Sequence, residues 1–338
     1  MRDDGLRRLH RKAMVIIAWA VASYLVLLLA AHGWWQVALS GVSLALALDA
    51  AAFNIMHDGN HGSFSHSRWV NRLAGFTLEL LGGSSFNWKV KHNLAHHTYP
   101  NIDGLDDDID QPPFARLASS QDWKPWYRWQ HLYLWFGYGL MTFRWQAAGD
   151  IATMIRGRIS RFKLTGLNYR EHAGFWIGKL LFVGWVFALP MTLHWSRHGA
   201  LAVLACYAGF NWLFSLVLAA TFQMAHCVDE AMFISADETD PNGKLPSSWA
   251  VHQVLATSDF CPQNRLITWF TGGLNYQLEH HLFPRVAHVH YPEIADIVRR
   301  DCAEHGLKYL CQPTLRSAVA AHYRHLRNMA QAPQPSHA

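Results

Sequence analysis

Residues 13–31 read AMVIIAWAVASYLVLLLAA, a run without a single charged side chain. At about 1.5 Å per residue, a helix of that length reaches across a hydrocarbon core of roughly 30 Å. Arg7, Arg8, Arg11 and Lys12 stand immediately before it. A secretory leader also starts basic, but its apolar part is shorter and ends at small residues for cleavage, so the run reads as a retained span over about 13–32. A second apolar stretch, about 36–56, is interrupted only by Asp49. The short turn between them makes the pair a helical hairpin. Two further stretches, about 174–194 and 200–225, are joined by a link containing Arg197 and form a second hairpin.

Four spans return the chain to its starting side. The amino terminus, residues 57–172 and residues 226–338 therefore share one face, which is rich in Lys and Arg while the two loops opposite hold almost none. By the positive-inside rule that face is cytoplasmic. The tryptophan-rich passage WKPWYRWQHLYLWFGYGLMTFRW (123–145) reads as interfacial rather than spanning, because an indole ring favours the headgroup level. From Tyr291 the tail reads as an amphipathic helix, with Pro292 in its first turn and Gly306 past its end, and a second helix follows Pro313. The expected fold is an all-α integral-membrane protein: four transmembrane helices in two hairpins under a cytosolic helical cap, one domain over 1–338.

Composition agrees with this reading. Of 338 residues, 51% are hydrophobic and only 16% charged, and the formal charge of +5 suits an anionic membrane surface or an acidic electron-donor protein. No basic stripe with a binding motif points to nucleic acid. The five cysteines form no CxxC pair, which argues against a zinc ribbon or a disulfide framework and for reduced thiols. Histidine is the anomaly. There are 22, nearly as many as the 24 acidic residues, and they cluster.

The first cluster is His57-Asp-Gly-Asn-His61, at the end of the second span. On a continuing helix these positions share a face about 6 Å apart, so both imidazoles can converge on one metal. The second, His92-Asn-Leu-Ala-His96-His97, repeats the pair and adds a neighbour about 100° round the helix. The third is Gln277-Leu-Glu-His280-His281. Adjacent histidines point in different directions, so each such pair can serve two metals. A single HxxxH is usually an ordinary surface or capping pair. Three clusters on one face, offering seven imidazoles near membrane level, are costly to bury without a function. Imidazole alone does not choose among zinc, copper, iron and nickel; the number of ligands exceeds the four of a single zinc.

The order HDGNH, HNLAHH, QLEHH, split by a pair of apolar spans, resembles the membrane fatty-acid desaturase superfamily from about Asp49 to Pro292. The passage GGLNYQLEHHLFP is similar to the front-end subgroup, which inserts double bonds between an existing one and the carboxyl end. The resemblance implies a di-iron site held by His57, His61, His92, His96, His97, His280 and His281, with Gln277 as a further candidate. In the wider family an isolated histidine where the fourth span meets the cytosol supplies another ligand, and that carries onto His226, closing Thr221-Phe-Gln223-Met-Ala-His226. Two irons with four or more protein ligands each also need one more than the clusters provide.

Desaturation takes hydrogen from unactivated carbons, a task beyond any side chain, so the cofactor carries it. The resemblance implies two Fe ions, O₂ as co-substrate, and an acyl lipid or acyl thioester as substrate. Front-end members often carry a fused cytochrome with an HPGG motif, and HPGG does not occur in this sequence. The chain is similar to shorter, linoleoyl-CoA desaturase-like bacterial members, which implies a separate ferredoxin, rubredoxin or haem cytochrome with its reductase and a place in the bacterial inner membrane.

Asp49 lies two turns below His57, roughly 12 Å along the axis, with Phe53 between. It is read as bordering an acyl tunnel, joining a polar network under the metals, or making an interhelical hydrogen bond. Trp88, four residues before His92, is the tryptophan singled out for the substrate path. In the run Asn101-Ile-Asp-Gly-Leu-Asp106-Asp107-Asp108, Asn101 and Asp106 are the candidates for orienting ligating histidines through the second ring nitrogen. The rival readings are a lipid hydroxylase or sphingoid-base desaturase of the same superfamily and, from another class, a membrane zinc hydrolase or receptor. A transporter is disfavoured for want of a broken-helix pair.

Overall fold

The computed structural model describes residues 2–159, 162–239 and 245–333. Among these, four helices are long and apolar enough to cross a membrane: α1 (Asp4–Ala30), α2 (Trp34–His61), α3 (Tyr169–His194) and α4 (Gly199–His226). Each outruns its apolar stretch. α1 continues back through Arg7, Arg8, Arg11 and Lys12, residues that favour a helix as well as most apolar ones do. α2 continues through His57 to His61 and stops where Gly62 turns left-handed (φ 77°). The third and fourth helices are separated by a break at Gly199 (φ 71°, ψ 170°).

α2 is the buried centre, with 72% of its apolar window covered, against 22% for α1. Leu9, Ala13 and Ile16 of α1 face inward at helical spacing, while Met14, Val15, Ile17, Val21 and Leu25 stay exposed as a lipid-facing surface. Small polar residues join α1 to α2: Trp19 Nε1 donates to Ser43 Oγ at 2.9 Å, and Ser23 Oγ lies 2.8 Å from the same atom. On the opposite side Gly41 admits the ring of Phe210 from α4, since a Cβ there would fall 1.9 Å from the ring.

The aromatic passage at 123–145 contains only the nine-residue helix Gln130–Tyr138 and shorter turns, too little to span. Polar contacts bind it to the long helices. Lys179 of α3, 8% exposed, donates to the carbonyls of Gly82, Trp145 and Gln146. Gln146 reaches Asn211 at 3.0 Å, and Asn211 reaches Thr142 at 3.0 Å.

Two short parallel strand pairs fasten distant segments: β1 (Ile102–Asp103) beside β2 (Ile234–Ser235), and β3 (Asp259–Phe260) beside β4 (Cys311–Gln312). The tail forms α5 (Tyr291–Glu304), with Pro292 in its first turn, and α6 (Leu315–Met329), capped by Thr314. All five cysteines are free. The protein is a mostly helical membrane protein.

Candidate metal centre

The segment Lys89–His96 is wound as a π-helix, and His97 N bonds back five residues to His92 O at 3.0 Å. This changes the geometry expected of the second cluster. Besides the i, i+4 pair, the residues five apart also meet, with His92 Nε2 and His97 Nε2 3.2 Å apart. His92 and His96 stack in parallel at 5.2 Å but face different neighbours. Another π turn, Ala52–Met56, precedes His57 and sets the rotation at which the first cluster leaves α2.

The result is two convergent groups of imidazoles. His57, His61, His92 and His280 make one, and His96, His226 and His281 the other; within each, the candidate ligand atoms lie within 4.8 Å of one another. The adjacent pair His280–His281 is divided between the groups, its rings 88° apart. His97 stands at the seam, edge-on to His61 (4.8 Å) and His280 (4.6 Å) and stacked on His281 (4.3 Å, 21°). Gln277 Nε2 lies 2.9 Å from His226 Nε2, beside the second group. A third combination, His92, His96 and Asp108, is also close enough to hold an ion.

All these histidines are nine-tenths or more buried. Burial, followed by the repulsion of neighbouring imidazoles, holds His92, His97, His280 and His281 well below the ordinary histidine range, so they are neutral bases. His96 moves the other way: burial lowers it, but the charge and hydrogen bond of Asp106, aided by Asp108, carry it above the ordinary value. Both ring nitrogens of His57, and Nε2 of His61, His280 and His281, have no hydrogen-bond partner among the described residues. Imidazoles crowded nitrogen to nitrogen, several of them with a ring nitrogen that no described protein group meets, fit metal ions. The eight histidines exceed the needs of one tetrahedral ion.

A second layer fixes the rings. Asp106 accepts from His96 Nδ1 at 3.0 Å and is itself held by the backbone N–H of Asn101 and Asp108, each at 3.0 Å. Asn101, in the left-handed region (φ 58°), uses its side chain to bridge the carbonyls of His226 (3.1 Å) and Ala256 (3.0 Å). It therefore positions the backbone of His226 and touches no ring. Trp88 stacks on His92 at 4.2 Å and meets His57 and His61 edge-on, making it a wall of the first group. Phe53 lies beneath, packed with Leu78, Phe214, Leu218 and Leu274. Asp49 is fully buried, and neither carboxyl oxygen has a hydrogen-bond partner among the described residues, so neither the polar network nor the interhelical bond expected for it is present.

Several participants were not among the residues singled out from sequence. Gln253 Oε1 lies 2.9 Å from His281 Nδ1, and Tyr291 Oη 3.2 Å from His280 Nδ1. Asp58, inside the HDGNH motif, receives His288 Nδ1 at 2.8 Å, and His288 Nε2 lies 3.0 Å from Lys12 Nζ on α1. Of these only Asp58 carried a local signal. Gln253, His288 and Lys12 reach the site through folding alone.

The family model described as fatty acid desaturase matches residues 32–313. Among curated proteins, the sn-1 linoleoyl-lipid 6-desaturase of Arthrospira platensis is 34% identical over 330 residues, covering 96% of this chain and 87% of that protein. Its counterpart from Synechocystis sp. is 33% identical over 96% of this chain and 89% of its own length. The acyl-lipid (8-3)-desaturase of Physcomitrium patens is 36% identical over 94% of this chain and 65% of that protein. With two groups of buried imidazoles drawn from the three histidine motifs and His226, and with matches of this extent, the chain belongs to the fatty acid desaturase family of oxidoreductases.

Proposed function

We propose that this protein inserts a double bond into a fatty-acyl chain near its carboxyl end, using two iron ions held by the histidine groups. The observation that carries the reading is the pair of convergent imidazole groups with unpartnered nitrogens. His57, His61, His92 and His280 would hold one ion and His96, His226 and His281 the other, with His97 at the seam and Gln277 beside His226. Bound there, the irons would supply, with O₂ and two external electrons, the oxidizing power that side chains lack.

The chain's own residues bind and orient. Asp106 fixes His96, Gln253 fixes His281 and Tyr291 fixes His280, so each ring presents its other nitrogen inward. Trp88, Phe53 and Phe222 form apolar walls that keep water from the reacting carbons. Asp49 borders the acyl path in this reading. In this reading the four spans form two hairpins in a bacterial inner membrane, residues 57–172 and 226–338 form one cytosolic cap, both termini are cytoplasmic, and the whole is a single domain. Electrons come from a separate ferredoxin, rubredoxin or haem donor.

The test is expression in a host of known lipid composition, followed by mass-spectrometric location of new double bonds and metal analysis of the purified protein. A new double bond between an existing one and the carboxyl end, with about two irons per chain, is expected. A hydroxylated product or a single zinc overturns the reading.

A further inference from the structure

Outside the metal groups, one cavity stands apart by its charge. It has a volume of about 880 Å³, and His61 and His97 are part of its wall. Around it stand Arg68, Arg72, Lys89 and Arg285, and no lining residue is acidic. None of these four cations makes an ion pair or a side-chain hydrogen bond with a described residue, although acid partners are common for exposed Lys and Arg. Lys89 feels the charges of Glu79 and Glu171 without an ion pair to either, and Glu79 is engaged by Ser85, whose N and Oγ lie 2.8 and 2.7 Å from its two oxygens. The remaining wall includes Asn60, Ser63 and Asn93, polar groups unsuited to an alkyl chain.

The helix Arg68–Gly75 shows at what level the cavity lies. Ala74 and Gly75 pack tightly on α2, where a Cβ on Gly59 would fall 2.4 Å from Gly75 N. Trp69 and Leu73, one turn apart on a single face, are 70% and 61% exposed. Arg68 and Arg72, also one turn apart, line the cavity. An exposed Trp–Leu face beside an arginine face is the pattern of a helix lying at the headgroup level of a membrane.

We propose that this cavity binds the phosphate of the substrate's acyl carrier, a phospholipid headgroup or the phosphates of an acyl thioester, through Arg68, Arg72, Lys89 and Arg285. The inference rests on the desaturase reading and deepens it by naming the carrier chemistry. Paired guanidinium groups suit phosphate, which they engage by two parallel hydrogen bonds. A concave space of this size suits a small-molecule group better than the flat surface of a docking protein. Regiochemistry makes the same demand. When the reacting carbons lie only a few bonds from the carboxyl, the phosphate of a phospholipid, a few bonds beyond the ester, must sit close to the metals, and a cavity walled by His61 and His97 places it there; the phosphates of a thioester, at the end of a longer arm, would reach its outer part.

Binding to the full-length chain in neutral detergent, measured by calorimetry, tests this with three probes: dihexanoylphosphatidylglycerol, hexanoyl-CoA and neutral dihexanoylglycerol. At least one phosphate-bearing probe is expected to bind ten or more times tighter than the neutral one, weakening as salt is raised. Preference for the phosphatidylglycerol identifies a lipid carrier and preference for the CoA thioester a soluble one. The double variant Arg68→Gln/Arg72→Gln should lose at least tenfold for that probe, while Arg68→Lys/Arg72→Lys, which keeps the charge, should recover most of it at unchanged metal content. Equal binding of the neutral probe, or full phosphate binding by the Gln variant, overturns the proposal and leaves desaturation standing. A chain that binds phosphate yet forms no double bond in cells instead overturns the desaturase reading and keeps the cavity's ligand.

Discussion

Histidine is buried in two separate regions of this molecule, and the two behave differently. In the centre between α2, α4 and the Gln277–Leu282 helix, imidazoles crowd one another, and several of their nitrogens have no hydrogen-bond partner among the described residues. On α6, His322 and His325 are 0% and 3% exposed, yet the ring nitrogens that contact protein find ordinary partners. His322 Nδ1 lies 2.7 Å from the Cys227 carbonyl and Nε2 2.8 Å from Tyr138 Oη. His325 Nε2 lies 2.9 Å from the Leu117 carbonyl, and its ring stacks on Phe233 at 4.7 Å. Burial is shared. What separates a candidate metal centre from a packed core is whether the fold itself satisfies the nitrogens.

The most severe way to break that contrast is to remove one histidine from each region. His226→Ala is expected to stay in the membrane, lose most of its iron and lose desaturation, because it takes a third of the smaller group. His322→Gln is expected to keep both and to cost only stability, about 1–3 kcal/mol for disturbed buried hydrogen bonds. His194→Ala, whose ring meets the Leu28 carbonyl at the far end of the spans, should change neither metal nor product. Metal analysis and product analysis on the three purified variants decide. Full iron in His226→Ala, or lost iron in His322→Gln, erases the distinction.

A milder intervention leaves the ligands in place and releases one ring. Asp106→Asn keeps the shape but removes the charge that orients His96, and a tenfold to hundredfold loss of metal affinity is expected, the usual range for such partners. Competition with a chelator measures it. Affinity equal to that of the unaltered chain shows that Asp106 is only a turn residue.

How far the site was readable depends on the distance over which each residue acts. The spans were legible because an apolar run of bilayer length has few alternatives, and the three clusters were legible because each is local in sequence. The pairing within the second cluster was not. An α-helical reading puts His92 with His96 alone, whereas the π turn also brings His92 against His97, and nothing in KHNLAHH announces that winding. Gln253, His288 and Lys12 were invisible for a different reason, since their partners lie 28, 230 and 276 positions away. Asp49 is the intermediate case: its oddity was plain from sequence, but it has no hydrogen-bond partner among the described residues. A lone unpaired carboxyl in an apolar helix marks a functional site by default. Asp49→Asn is expected to lower product yield several-fold at unchanged iron content, and unaltered yield and double-bond position would remove Asp49 from the acyl path.

The smallest effect on function, and the sharpest test of the α6 half of the comparison, comes from acid. Burial, opposed by the hydrogen bond that His322 donates to the Cys227 carbonyl, pushes His322 down from 6.5 to about 3. Burial, opposed by the Leu117 carbonyl and Asp229, pushes His325 to about 4. The unfolded or detached helix takes up these protons more readily than the docked one. Docking is therefore fully favoured above about pH 6.5, and the advantage is lost as pH falls from there toward about 4 and then 3. At pH 5 each residue withdraws on the order of 2 kcal/mol. Charging both would also set two cations side by side. Hydrogen exchange should accordingly show residues 315–329 losing protection between pH 7 and pH 5 while the buried core of α2 keeps its own, and the double variant His322→Gln/His325→Gln should flatten that dependence. Equal protection of α6 at both pH values would mean that its histidines are not held neutral by docking, and the line drawn between satisfied and unsatisfied imidazoles would have to be moved.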